Sequence, residues 1–389
     1  MLADRLFDKD TPEETIAELT DTVTQSPERR DLLVQLLPER ISLYQGRSTN
    51  EAIRMRGYIL AAFEQAGLPD AALPYVLEEL ENGRDAYLVA GAAKALRGLD
   101  SPTSQVVPFL LTAIENINDV DDALTFECYK PRWPITNYTT ALTEIFRTFG
   151  WLGAYAQSAL PGLEALCGER SDEFSQPIRA EIESAIARIR SDGRPAHACC
   201  SSVSMNADLT VQAPRERHRK GDFINNIELE DQDGNTVTYS EFFSGKPCIV
   251  VFFYTRCTNP NKCSLTVTKL ARLQEAIEEQ FDGLLKTAAI SYDPEYDLPP
   301  RLKAYGENRG VAFSDNNRIF RTRSGFLELQ EYFQLGVNFT GSTVNRHRIE
   351  LFILDSQGEV AVTFTRLRWD IQEVLGQAKV LLSPGEGAN

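Results

Sequence analysis

The hydrophobic period of this chain changes once, and that change limits the folds open to it. Up to about residue 192 the apolar residues recur at helical spacing. From Gly221 onward they alternate with period two or gather in short β-rich runs. A chain of 389 residues with such a change reads as two domains. An all-α domain is expected over 1–192 and an α/β domain over 221–389. The aperiodic segment 193–220, with its Gly193, Pro195 and the basic run 215–220, is expected to link them.

In the first part, three stretches share one pattern: 62–68 with 72–77, 95–99 with 106–111, and 146–150 with 159–163. Each has an apolar helix ending at glycine (Gly67, Gly98, Gly150) and a short turn. A second helix follows, with proline in its first turn (Pro74, Pro108, Pro161). Glycine ends helices by taking up left-handed dihedrals, and proline is tolerated where no N–H bond is needed. Pro74 and Pro108 are 34 residues apart, a solenoid-like period. The next interval is longer because of an insertion at about 116–137, which carries Cys128, Tyr129, Pro131, Trp133 and Pro134. The pattern resembles HEAT-type repeats, which implies a helical solenoid with a concave surface for a protein partner. Its alternative is a purely structural cap.

The second part is organised around a strand, a loop and a helix. The apolar run from Cys248 feeds the loop that carries Cys257 and Cys263, and a helical pattern with Leu265, Leu270, Leu273 and Ile277 runs on to about Phe281. Around it the sequence predicts a hairpin turning at 231–234, a strand over 285–290 and helices near 300–308 and 325–333. A second hairpin, 349–354 with 360–364, and a closing helix over 370–382 complete the unit. That order is a thioredoxin-like plan. Cys257 beside Arg256, ahead of a helix, is expected to be a reactive thiolate. Cys128, Cys167 and Cys248 are expected as small core residues.

The formal net charge of −16 argues against a general affinity for nucleic acid or an anionic membrane. The chain opens without a signal segment and has no apolar run of membrane-spanning length, so a cytoplasmic location is expected. Seven cysteines in that compartment point to metal or redox roles rather than structural disulfides. In the linking segment, His197, Cys199 and Cys200, with Met205 beyond, form a soft set suited to Cu(I) or zinc. Alternatively they are a chance cluster, or partners in disulfide exchange with Cys257 or Cys263.

The loop 254–263, the run Lys269-Leu270-Ala271, the run 291–297 and His347 ahead of the turn at Asp355 together resemble the Sco/SenC family of thioredoxin-fold copper proteins. The resemblance covers about residues 220–385. It implies that Cys257, Cys263 and His347 bind copper, with Asp293 close by. Here five residues separate the cysteines, where the family has three, and Arg346 and Arg348 flank the histidine. Those two charges are expected to weaken the binding of a cation. Read without the family, two thiolates and an imidazole suit Cu(I), while the same cysteines also suit a thiol–disulfide or thiol-reductase enzyme. The Cys-x-x-Cys motif and facing proline of thioredoxins are absent, as is the peroxiredoxin loop. The functions left open are a copper-binding or copper-dependent redox protein, a metal-free thiol oxidoreductase and an interaction scaffold.

Overall fold

The computed structural model describes residues 6–25, 30–193, 211–212 and 222–382. The chain divides into two compact units, Met1–Met205 and Asn206–Asn389.

The first unit is helical. Its helices are α1 (Glu13–Gln25), α2 (Arg30–Gln35), α3 (Thr49–Ala66), α4 (Leu73–Asn82), α5 (Ala86–Ala95), α6 (Val107–Ile117), α7 (Ala141–Leu152), α8 (Leu160–Cys167) and α9 (Gln176–Ser191). Local chemistry sets their ends. Ser48 and Glu51 close a capping box ahead of α3, and the helix stops at Gly67, whose φ of 84° is open to glycine. Asp85 and Thr140 cap α5 and α7 by accepting from Leu88 N and Thr143 N. Pro74, Pro108 and Pro161 sit in the first turns of α4, α6 and α8, as their spacing predicts.

Helices α1, α3, α5, α7 and α9 pack side by side in sequence order, and α4 packs on α6 behind them. Gly57 and Gly91 allow the closest of these crossings, because a Cβ on Gly91 would lie 2.7 Å from Gly57 O. Gly150, expected to end a helix, lies inside α7, which runs to Leu152 and stops at Gly153 with φ 54°. The absent side chain of Gly150 instead makes room for Arg188 of α9, whose Cδ would be 3.0 Å from a Cβ there.

The insertion 118–140 is tied by an isolated bridge between Leu124 and Thr139. Tyr129 turns inward from it against Tyr58 and donates to Glu13 Oε2 at 2.7 Å. Cys128 is exposed and Cys167 is partly so, correcting their expected place in the core. One lies in the insertion and the other is the last residue of α8, where the packed face has ended.

The second unit comprises β1 (Val211–Gln212), α10 (Asp222–Asn225), β2 (Glu228–Asp231), β3 (Thr236–Thr238), α11 (Tyr239–Phe243), β4 (Cys248–Phe253), α12 (Leu265–Phe281), β5 (Lys286–Ser291), α13 (Pro299–Glu307), β6 (Asn317–Thr322), α14 (Phe326–Tyr332), β7 (Val337–Thr340), β8 (Thr343–His347), β9 (Glu350–Leu354), β10 (Val360–Thr365) and α15 (Ile371–Leu382). Eight strands form one sheet in the order β1-β10-β9-β4-β5-β6-β2-β3, and β7 and β8 make a separate hairpin. Strands β4, β5 and β6 are parallel. This is the thioredoxin-like plan.

Strand β4 is buried along its whole length because both faces of the sheet are covered. Ile249, Val251 and Phe253 face a core with Val267, Leu270 and Leu273 of α12 and Val374 and Leu375 of α15. Cys248, Val250 and Phe252 face the opposite core, with Phe242 and Phe243 of α11 and Leu329 and Tyr332 of α14. Strand β6 does not stand out as a strand in the sequence, since Arg318 and Arg321 leave Ile319 and Phe320 isolated. Those arginines are paired across the sheet, with Asp231 at 3.2 Å and Glu230 at 2.5 Å. Charge pairing between β6 and β2 thus replaces the apolar alternation that would have revealed the strand.

Candidate metal and thiol centre

Strand β4 delivers the chain into the loop between its Phe253 and the turn at Pro260. One buried carboxylate shapes that loop. Asp297 has no solvent exposure and accepts from Thr255 N at 3.1 Å, from Thr255 Oγ1, and from Ser291 Oγ at 2.5 Å. Burial raises its pKa, a tendency these donors oppose. Asn259 then accepts from Asn261 N at 2.9 Å and starts a wide, π-type turn, Pro260–Ser264, ahead of α12. The wide turn absorbs the extra residues of the loop and returns Cys263 toward Cys257. Cys263 is 1% exposed and Cys257 is half-buried.

The third member arrives from the separate hairpin. His347 ends β8, paired with Val337 of β7. Its Nδ1 is 3.1 Å from Arg348 O. A carbonyl can only accept, so Nδ1 donates to it, and Nε2 is the ring atom left facing the sulfurs. That Nε2 lies 3.4 Å from Cys257 Sγ and 3.5 Å from Cys263 Sγ. All three ligand atoms fall within 4.8 Å of one another. Lys262 Nζ holds the position from below, donating to His347 O at 2.8 Å. The rings of Tyr254 and Tyr292 flank the imidazole with centroids at 5.4 and 5.5 Å. Tyr292 donates to Glu350 Oε2 at 2.5 Å, fixing the wall on that side.

The two sulfurs are not equivalent. Cys257 is held well below the usual thiol range, first because Cys263 donates to its thiolate and then because of His347, with burial opposing. Burial, followed by that same bond to Cys257, pushes Cys263 up. The pair therefore shares one proton, carried by the buried sulfur. The expected cause of the thiolate was different. Arg256 is engaged by Asp293, with Nε at 3.0 Å, and the dominant help comes from Cys263.

One of the two flanking charges, that of Arg348, is also not what the sequence suggests. Arg348 turns away from the centre, donating from Nε to the fully buried Glu350 at 2.7 Å and from Nη2 to Gln334 O at 2.9 Å. Its charge is matched next to the site, so the expectation that it would weaken cation binding does not carry over. Asp293 lies against Arg256 and does not join the three-residue group. His197, Cys199, Cys200 and Met205 lie outside the described residues. Sequence reading gave no role to Tyr292, Asp297 or Glu350, although Tyr292 and Asp297 lie in the run 291–297 that carries the family resemblance and Glu350 heads the apolar run Leu351–Leu354.

Among the described residues, no helix is long and apolar enough to cross a membrane. The family description SCO1/SenC matches residues 215–382. No curated protein matches the chain. Among solved structures, a SCO1/SenC family lipoprotein from Bacillus anthracis is similar at 20% identity, over 42% of this chain and 99% of its own, with a TM-score of 0.36. Bradyrhizobium japonicum ScoI with copper bound is similar at 21% identity, over 40% and 96%, with a TM-score of 0.33. Yeast Sco1 with copper bound is similar at 20% identity, over 41% and 88%, with a TM-score of 0.34.

Proposed function

We propose, for a chain whose residues 215–382 match the SCO1/SenC family, that Cys257, Cys263 and His347 bind copper. The observation carrying this reading is the imidazole. Nδ1 is fixed by Arg348 O, and Nε2 stands within 3.5 Å of both sulfurs. The donor set fits the metal: two sulfurs and one imidazole nitrogen make a soft three-donor site. The bond from Nδ1 is the kind of outer partner that orients a ligating histidine. Bound there, copper would supply a soft cation for transfer, or a one-electron redox couple.

The residues around it have separable tasks. Asp297 and Asn259 fix the loop so that Cys257 and Cys263 face one point. Cys257 is already a thiolate, and Cys263 must lose its proton when a cation binds. Tyr254, Tyr292 and the buried side of Cys263 keep bulk water from the centre, which favours thiolate–cation attraction.

Anaerobic Cu(I) titration with elemental analysis tests the reading: one equivalent per chain is expected, and Cys257→Ser should lose it. A metal-free thiol oxidoreductase is the second reading, favoured by the thiol–thiolate pair itself. It needs both sulfurs but not the imidazole, so a His347→Ala variant that keeps both its Cu(I) affinity and its disulfide chemistry would decide for it.

We further propose that the helical unit docks a protein partner. Support comes from an apolar hollow of about 510 Å³, lined by Ile53, Tyr87, Leu124 and Ile135, with Trp133 73% exposed at its edge. A photo-cross-linking residue at position 133 should give a discrete adduct in cells. A pattern no different from one placed at exposed Glu183 would remove this part.

A further inference from the structure

Three arginines, Arg256, Arg301 and Arg309, cluster beside the loop that carries the half-buried Cys257. Arg256 precedes the cysteine, and its guanidinium stacks 4.1 Å above the ring of Tyr296. Arg301 of α13 stacks on the same ring at 3.7 Å and donates to Tyr296 O at 2.6 Å. Arg309 lies 3.4 Å over Tyr305 and donates to Ser264 Oγ, next to Cys263, at 3.2 Å. Tyr305 in turn stacks on Phe253, the last residue of β4. The aromatic platforms thus hold three guanidinium groups beside the cysteine loop and the start of α12.

The acids nearby cancel only one of the three, Arg256. Asp293 is taken up by Arg256, and Asp297 is buried under Thr255 and Ser291. Glu295 and Glu307 are exposed, and neither forms an ion pair with Arg301 or Arg309 among the described residues. Arg301 and Arg309 hold no carboxylate at all there, although the chain carries a net charge of −16. A guanidinium laid flat on a ring keeps its N–H edge for a planar anion.

We propose that Arg301 and Arg309, beside the Asp293-paired Arg256, form an anion-steering rim that selects carboxylate-bearing small thiols, and the anionic metal–thiolate complexes they form, at Cys257. The inference rests on reading Cys257 and Cys263 as the working site, but not on the identity of the metal. A thiol of this class presents its sulfur to Cys257 while its carboxylates meet the rim.

The test uses the full chain, reduced and metal-free, and compares an anionic with a neutral alkylating reagent, iodoacetate and iodoacetamide. In both, the Cys257 thiolate forms a bond to carbon and iodide leaves. The iodoacetate-to-iodoacetamide rate ratio at Cys257, read by peptide mass spectrometry, is compared with that of the chain in denaturant. At low salt the native ratio should be roughly three- to tenfold higher. It should fall toward the denatured value near 1 M salt, where the screening length is about 3 Å. Arg301→Gln and Arg309→Gln should each lower it by about twofold, and Arg301→Lys should largely restore it. A native ratio equal to the denatured one overturns the proposal. So does a ratio unmoved in the Arg301→Gln, Arg309→Gln double variant, or a Cys257 that neither reagent reaches. A raised ratio beside a failed copper titration would remove only the copper reading. A flat ratio beside intact Cu(I) binding would remove only the rim.

Discussion

The two units of this chain both bury polar groups, but they do so to opposite ends. In the helical unit, Arg56 is 1% exposed and is surrounded by acceptors: Leu37 O, Glu39 at 3.2 Å and Glu79 at 3.7 Å. Arg97, in the turn after α5, likewise joins Glu64 at 2.6 Å, Glu144 at 2.5 Å and Thr148 at 2.9 Å, linking α3 to α7. Apart from Arg56 Nε, the donors and acceptors there close on one another. In the second unit, two sulfurs and a ring nitrogen converge while sharing only one proton among the sulfurs. A buried cluster whose charges pair with one another is architecture, whereas one that brings two sulfurs and a ring nitrogen to one point is prepared for a soft cation.

The sharpest way to break this contrast is to damage each cluster and read both units. Arg56→Ala leaves Glu39 and Glu79 buried without their cation, and should cost about 3–5 kcal/mol in denaturant unfolding of the helical unit. Cu(I) affinity should be unchanged, and an equal loss there would deny the two units separate roles.

His347→Ala should do the reverse. Unfolding should shift little, while Cu(I) affinity should drop by more than about 100-fold, the upper end for merely outer partners of a metal site. A competition titration against a Cu(I) chelator reads that loss.

Asp297→Asn tests the loop anchor. It keeps the side-chain shape but places an NH2 where Thr255 and Ser291 donate, which should cost about 1–3 kcal/mol. Faster hydrogen exchange at Thr255 should accompany the loss, and unchanged exchange would remove Asp297 from the site's support.

The smallest effect is expected at Arg348→Gln. Because Glu350 and Gln334 O already occupy this guanidinium, Cu(I) affinity should stay within about twofold of wild type, as for charges matched locally. A large gain would restore the view that the arginines oppose a cation.

Much of this was legible in the sequence because it is written locally. The strand at 248, the helix after it, the glycine stop at Gly67 and the prolines opening α4, α6 and α8 each depend on a few neighbouring residues. The two cysteines were visible as a pair in one loop, and His347 through its place relative to the turn at Asp355. Strand β6 was hidden because its arginines find their acids on β2, roughly ninety residues upstream. Gly150 misled because a missing side chain serves either a helix end or a close neighbour, and the sequence does not distinguish them.

What the sequence by itself determined is the change from helical to strand period, and the presence of two cysteines and a histidine in a SCO1/SenC-like order. Only the tertiary structure decided what those residues are to one another. Which sulfur holds the proton follows from Cys263 being buried while Cys257 is not. Which imidazole nitrogen faces the sulfurs follows from Arg348 O taking the other. Whether Arg348 opposes a cation follows from Glu350 reaching it first. Each answer depends on distances between groups far apart in the chain, and burial and charge act through those distances rather than through sequence spacing.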